Sequence, residues 1–562
     1  MDIHESLTTL DYGVILVYLF AVITLGFWVS MRKSAQADLF LGGRRLGWFN
    51  IGLSIFGTNV SPSMMIGAFG FAYAMGIVGA YGELFAWFYI LLLSLVFVPH
   101  YLNTGISTMP EFLDRRYDTR CRNFLSYYTL FSTMALWIGG TTYAGGILMS
   151  QIMGWPVWVS ILALMFVATS FTVAGGLTAV VVTDAFQSVL MILAAIVLTV
   201  IGFIEVGGIE PLAALPEQRW DLFLSRSESE MFQWSHIVFG YMVTAIWFWC
   251  TDQTIVQRVL GARDLKQAQL GTVFAGYLKV ITPFIYFLPG IFCYILFPDL
   301  DNQDEAYMTM VSNLLPVGVV GLTAAVLIAA LISTVDSGLN SLSTVFTLDI
   351  YRGQFSPDAD ATRVKRVGRM VTVVTALIAS LIAISLTRVE TNIFITLQTV
   401  ISYLSPGMAA VFIVGVLWKR ANAEAAFSVL VGGNLLSVFI GFMDLSGWLG
   451  DRFLPMKASG SGNITNENLP LFNVGNWAIP FSFMGIILFT IIMTTGSIVS
   501  TVKQWKYCRL PFLAASSGGG VVITAVLFNE WAYENYAWPS FLLMTVLLFV
   551  IMLVLMVSIS LA

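Results

Sequence analysis

Leu331-Ile332-Ser333-Thr334-Val335-Asp336-Ser337-Gly338-Leu339-Asn340-Ser341 is a polar, carboxylate-bearing stripe inside a run otherwise apolar enough to cross a bilayer. Ser333, Thr334, Ser337 and Ser341 recur at helical spacing, so on a helix their hydroxyls share one face with Asp336 beside them. Polar oxygens at membrane depth are costly unless they are used. A dehydrated hard cation is what such oxygens suit.

The rest of the chain supplies the bilayer. Its 562 residues are 58% hydrophobic and only 10% charged, with a mean hydropathy of +0.84, which no single soluble core can absorb. Apolar runs of spanning length begin near residues 11, 50, 81, 124, 155, 177, 233, 268, 316, 368, 391, 423, 477, 511 and 538. By the ~20-residue criterion this predicts an all-α polytopic membrane protein of about 14 to 15 transmembrane helices. The lower count applies if Ser516-Ser517-Gly518-Gly519-Gly520 interrupts its run as a re-entrant or broken element.

Basic residues cluster in every second loop, at Arg32/Lys33/Arg44/Arg45, Arg115/Arg116/Arg120/Arg122, Arg258/Arg263/Lys266, Arg352/Arg363/Lys365/Arg366/Arg369, Lys419/Arg420 and Lys503/Lys506/Arg509. Alternate loops are acidic or neutral. The positive-inside rule therefore predicts an N-terminus outside, and the expected location is the plasma (inner) membrane, crossed many times. The lipid bilayer is its expected surrounding partner.

Other classes are disfavoured. A net charge of −5 gives no footing for nucleic acid. Cys121, Cys250, Cys293 and Cys508 lack metal spacing and suggest no disulfide framework. With three histidines, no phosphate loop and no nucleophile motif, neither an enzyme nor an organic cofactor is expected. The lead Met1 to Leu10 does not read as a cleaved signal peptide. Asn463-Ile464-Thr465 fits a glycosylation sequon on an expected outer loop.

Four further polar features fall at membrane depth. Gly57-Thr58-Asn59-Val60-Ser61-Pro62 predicts a helix interruption, because Pro62 withholds an intrahelical donor. Asp184 lies about two turns into its span and is too short to snorkel, so it pairs either with local hydroxyls or with a cation held near Ser333. Lys279 requires a partner or a cavity, and an ion pair with Asp184 or Asp336 would satisfy it. Gln398 is the fourth. Asp252 and Arg258 read as a local ion pair bordering the cytoplasmic loop.

In combination these residues resemble the sodium:solute symporter family, specifically its sodium/glucose cotransporter branch. The resemblance is carried by Gly42-Gly43-Arg44, Thr108-Met109-Pro110-Glu111-Phe112, Thr172 to Ala179 with Thr183-Asp184, and Trp249-Cys250-Thr251-Asp252-Gln253 through Gln257-Arg258. Tyr277-Leu278-Lys279, Leu288-Pro289-Gly290 and Phe346-Thr347-Leu348-Asp349-Ile350-Tyr351 extend it, from about residue 10 to about 440.

The resemblance implies a LeuT-type architecture of two inverted five-helix repeats. Residues 1–49 would hold an extra N-terminal helix and a cytoplasmic loop, 50–205 the first repeat, 206–232 an extracellular loop, 233–418 the second repeat, and 419–562 additional C-terminal helices. It implies Na⁺ as coupling ion, held by Gly57, Val60, Ala330, Ser333 and Thr334. A second sodium site, present in some relatives, would recruit Asp184, Ser333, Asp336 and Ser337. Relatives often have a hydroxyl where Asp336 stands, and a proton there is the alternative to a second sodium.

For the solute, the resemblance implies contacts at Asn59, Lys279 and Gln398 and an outer aromatic gate at Tyr81 and Phe394. Met64, Gly82 and Ala245 stand where sugar-carrying relatives tend to have polar or acidic contacts, and Phe248 where an inner-gate tyrosine is common. The implied function is sodium-driven uptake of a small polar solute, a sugar or sugar derivative first. A sodium symporter for an amino acid, carboxylate, polyol or nucleoside is the alternative, followed by a transporter-derived channel or sensor.

Overall fold

The computed structural model describes residues 7–31, 38–224, 236–300, 302–387, 393–445, 471–474, 477–480 and 541–561. These form two compact units. One comprises Met1–Phe112, Leu125–Gln233 and Phe248–Phe394; the other comprises Leu113–Phe124, Trp234–Trp247 and Ile395–Ala562. The first unit thus draws on both of the repeats expected from the sequence.

In the first unit, α1 (Thr9–Ser30) opens with a capping box at Thr8 and Asp11. Next come α2 (Trp48–Asn59) and α3 (Pro62–Met75), separated by the interruption that Pro62 predicts. Val60 ends α2 at φ −81, ψ 83, and Ser61 is extended at ψ 158, as the residue before a proline tends to be. Ser61 Oγ accepts from Met64 N, and Pro62 takes the first helical position, where its missing N–H costs nothing.

After α4 (Tyr81–Leu92), the long α5 runs Val157–Glu205. At the ~1.5 Å rise per residue a straight helix of that length would be about twice as long as a bilayer is thick. It bends at Gly176, whose φ of 55 and ψ of −149 are open to glycine, and where a Cβ would meet Leu39 O at 2.2 Å. The two spans expected near residues 155 and 177 are the arms of this bend.

The short α6 (Gln253–Leu260) is buried along its whole length. Then come α7 (Leu265–Thr282), capped by Asp264, the central α8 (Val319–Val345) and α9 (Ala361–Leu386). Almost every residue of α8 is buried, and it packs on α5 and α1. Asp11 Oδ1 of α1 accepts from Gly318 N at 2.7 Å and Gly321 N at 2.8 Å, satisfying N–H groups that a helix start leaves unpaired.

In the second unit, α10 (Ile393–Leu417) ends in a clamp built by Arg116. Its guanidinium donates to the carbonyls of Gly415, Trp418 and Ala421 at 2.6, 2.8 and 3.0 Å. Tyr117 donates to Val411 O at 2.9 Å. The last helix, α11 (Phe541–Leu561), returns to this unit through Thr545, which donates to Ser402 O, and Asn422, which donates to Ile559 O.

Among the described residues eight helices are long and apolar enough to cross a membrane. A ninth span counts if Thr119–Met153 and Val157–Ser170, bent by 110°, are taken together. The count falls short of the expected one at several runs, among them the one near residue 233, which has no helix of spanning length among the described residues. Runs expected as separate spans near residues 50 and 81 are broken or continuous helices. The run near residue 511 lies outside the described residues, as do Asn463, Lys503 and Cys508. The run near 477 opens not as a helix but as strand β2 (Trp477–Pro480), antiparallel to β1 (Leu471–Val474). The register Val474↔Trp477 leaves Gly475-Asn476 between the strands, a dipeptide suited to tight hairpin turns that the hydropathy reading overlooked.

Candidate functional site

Two polar networks sit in the first unit, and both start from the broken end of α2. Pro62 has no N–H to give the Thr58 carbonyl, and Met64 N goes to Ser61 Oγ, so the last turn of α2 keeps carbonyl oxygens without helical partners. A helix C-terminus also carries partial negative charge. Thr334 of α8 reaches this end: its Oγ1 lies 3.5 Å from Thr58 O and 3.1 Å from Ala330 O. Gly57, Val60, Ala330, Ser333 and Thr334 are all buried. At Gly57 α2 and α5 approach so closely that a Cβ would meet Ser188 Oγ at 2.3 Å.

The first network continues to Asp184. Ser333 Oγ donates to Asp184 Oδ1 at 2.5 Å, and Ser54 Oγ of α2 donates to Asp184 Oδ2 at 2.6 Å. Ser337 Oγ is 3.2 Å from Thr58 Oγ1 and 3.3 Å from Asp336 Oδ1. The other oxygen, Asp336 Oδ2, is buried with no hydrogen-bond partner among the described residues. Asp184, Ser333, Asp336 and Ser337, which the sequence reading grouped, do meet here.

A residue that the reading placed elsewhere meets them. Arg258 is not paired with Asp252 at a cytoplasmic border; it is fully buried, with Nη2 3.4 Å from Asp184 Oδ2. Its Nε donates to Ser54 Oγ at 3.0 Å, Nη2 contacts Ser337 Oγ, and Nη1 donates to Thr254 O. Asp252 instead caps α6, accepting from Thr254 N at 2.8 Å. The error has a physical origin. Arg263 and Lys266 follow closely in sequence and make the segment look like a loop, whereas α6 turns its whole length into the protein.

The second network surrounds Lys279 of α7. Its ammonium is paired with neither Asp184 nor Asp336. It contacts the Glu83 carboxylate and Asn59 Oδ1, with side-chain exposures of 1% for Lys279 and 11% for Glu83. The Phe56 and Trp249 ring centroids are 5.8 and 5.5 Å from Nζ, within cation–π range. Glu83 is not among the contacts expected from the sequence, whereas its neighbours Tyr81 and Gly82 are. An acidic residue two positions into an aromatic-rich span was the available signal.

The remaining expected residues are scattered. Met64, Tyr81 and Gly82 are half-buried. Phe248 is also half-buried, its ring 5.3 Å from Trp137 and 4.8 Å from Trp249, which links it to the Lys279 surroundings. Ala245 is buried in the helix Tyr241–Ala245 of the second unit. Phe394 and Gln398 belong to α10, but their side chains lie outside the described ones.

Comparison with known proteins gives concordant results. The family described as "Sodium:solute symporter family" matches residues 39–433. Sodium/myo-inositol cotransporter 2 of Mus musculus is 35% identical over 474 residues, covering 77% of this chain and 70% of that protein. Sodium/mannose cotransporter SLC5A10 of Bos taurus is 35% identical over 473 residues, covering 76% and 78%. Sodium/glucose cotransporter 4 of Danio rerio is 35% identical over 472 residues, covering 77% and 72%. A solved Na⁺-coupled sialic acid symporter in a substrate-bound outward-open state superposes with a TM-score of 0.68 at 23% identity, over 77% of this chain and 97% of that one. That likeness shows the LeuT-type fold.

Proposed function

The chain belongs to the sodium:solute symporter family, and from that premise we propose that it imports a neutral polyhydroxylated ring, a sugar or an inositol-like polyol, together with sodium. It is a multi-pass integral membrane protein and a transporter, with Na⁺ as its coupling ion. The plasma or inner membrane, an outside N-terminus and the repeat boundaries 50–205 and 233–418 complete the reading.

The observation that carries the solute assignment is the Lys279–Glu83–Asn59 cluster, with Lys279 and Glu83 buried and Asn59 half-buried. Its formal charges cancel, so an anionic or cationic solute entering it would bring an uncompensated charge into a low-dielectric site. A neutral ring brings none. Its hydroxyls donate to a carboxylate and accept from an ammonium and an amide, while Trp249 offers an apolar ring face. The names of the sodium/myo-inositol and sodium/mannose relatives support the same class.

For the ion, the carbonyls of Gly57, Val60 and Ala330 with the hydroxyls of Ser333 and Thr334 supply the oxygen set sodium takes. Ser333 spends its proton on Asp184 and keeps lone pairs for a cation. One sodium crossing ~100 mV yields ~2.3 kcal/mol, and a tenfold gradient adds ~1.4 kcal/mol. Sodium bridging α2 and α8 would favour the outward-facing state, and its inward release would free the solute.

The test is uptake into proteoliposomes under an imposed sodium gradient, with potassium as control. Myo-inositol, mannose and glucose, against the anion sialic acid and the cation lysine, form the panel. Sodium-driven accumulation of at least one neutral ring and none of the charged solutes is expected. Accumulation confined to a charged solute would overturn the assignment.

A further inference from the structure

Two buried carboxylates, Asp184 and Asp336, face one buried guanidinium, Arg258, with no exposure at any of the three. The three groups interact electrostatically as a set. With both carboxylates ionised, their formal sum is one negative charge. The sodium position proposed at Ser333 and Thr334 joins this set through the Ser333–Asp184 hydrogen bond. One mobile sodium there brings the sum to zero, whereas two would leave a buried positive excess that nothing in the network offsets.

The oxygen atoms point the same way. The donors a second sodium would need are Asp184 Oδ2, Ser337 Oγ and Asp336. Arg258 already contacts Asp184 Oδ2 and Ser337 Oγ and also holds Ser54 Oγ. Asp336 Oδ2 is the remaining buried oxygen of the set without a hydrogen bond among the described residues. We propose that Arg258 is the second cation of the transport site, a guanidinium tethered among Asp184, Asp336 and Ser337 that fixes coupling at one mobile sodium per solute.

A short helix makes this seat permanent. α6 is buried throughout and anchored at both ends, by Asp252 at its start and by the Gly261 O to Leu46 N hydrogen bond just past its end. Arg258 therefore cannot leave with the solute, unlike a free ion. The inference rests on the sodium-symport reading above.

Equilibrium binding of radiolabelled sodium to the purified full chain counts ions without requiring a solute. The wild type should bind one. Arg258→Ala or the bulkier Arg258→Met should bind two, with the Hill coefficient rising from about 1 to near 2 and a larger sodium-dependent rise in melting temperature than the wild type shows. Adding Asp336→Asn to Arg258→Met should return the count to one. A wild type that binds two, or Arg258 variants that still bind one, would overturn the inference while leaving symport intact. A wild type that binds none overturns both. If neither Arg258 variant folds at any sodium concentration, the wild-type count alone decides.

Discussion

The hydroxyl of Thr334 on α8 lies 3.5 Å from the carbonyl oxygen of Thr58 at the broken end of α2 and 3.1 Å from Ala330 O of its own helix, so it stands between the two helices. That contact is where the ion's influence on conformation should be read. Thr334→Ala removes the hydroxyl proposed as a sodium ligand, worth about 1–2 kcal/mol, and the sodium concentration for half-maximal uptake should rise by about 5- to 30-fold. Ser333→Ala should act in the same direction. Unchanged sodium activation in both variants would rule out this ion position.

Glu83 and Lys279 should fail singly and compensate jointly. Glu83→Gln leaves the buried ammonium without a counter-charge, a change of the kind that costs about 3–5 kcal/mol. The melting temperature should fall clearly in Glu83→Gln and in Lys279→Met, and less in the double variant than the two losses summed. Additive losses would mean the pair is not coupled. All three variants should lose solute uptake, because each removes a group assigned to the solute.

Arg116 closes the C-terminal end of α10 with three hydrogen bonds to backbone carbonyls. Arg116→Lys keeps the charge but has no planar fork to span them. Both Arg116→Ala and Arg116→Lys should therefore lower thermal stability by about 2–3 kcal/mol, as read from melting in detergent. Full rescue by lysine would show that charge and not geometry is what matters there.

Asp264 provides a pH test. The backbone N–H of Gln267, followed by the nearby Arg263, holds its carboxyl below the ordinary value of 3.8. A carboxyl lowered on folding stabilises the folded state above its unfolded value and loses that contribution as pH falls through its folded value. Compared with Asp264→Ser, a cap that does not titrate, the wild type should melt higher near neutrality, and the difference should shrink as pH drops below about 4. A difference that stays constant from neutral to acidic pH would refute this.

The interruption at Pro62 and the oxygen stripe on α8 were legible because their signals are local. Proline removes a named hydrogen bond, and hydroxyls at helical spacing share a face whatever packs against them. Arg258 and Glu83 were not legible for the opposite reason. What Arg258 touches depends on α6 passing beside α2, α5 and α8, which no short stretch of sequence encodes. Glu83 needed a helical register resolved to one residue in a run where Tyr81, Gly82 and Glu83 all have polar or special character. The strand pair Leu471–Val474 and Trp477–Pro480 was hidden because hydropathy alone does not separate a short strand from the start of a span.

Thr58 and Asn59 are consecutive in the chain, yet one touches Thr334 and Ser337 while the other touches Lys279. A single peptide unit thus separates the two proposed cargo sites, and a pivot of that unit would displace both at once. Tight stoichiometric gearing then needs no long relay through the protein, and slippage, where ion leaks without solute, should be most sensitive to flexibility at this one joint.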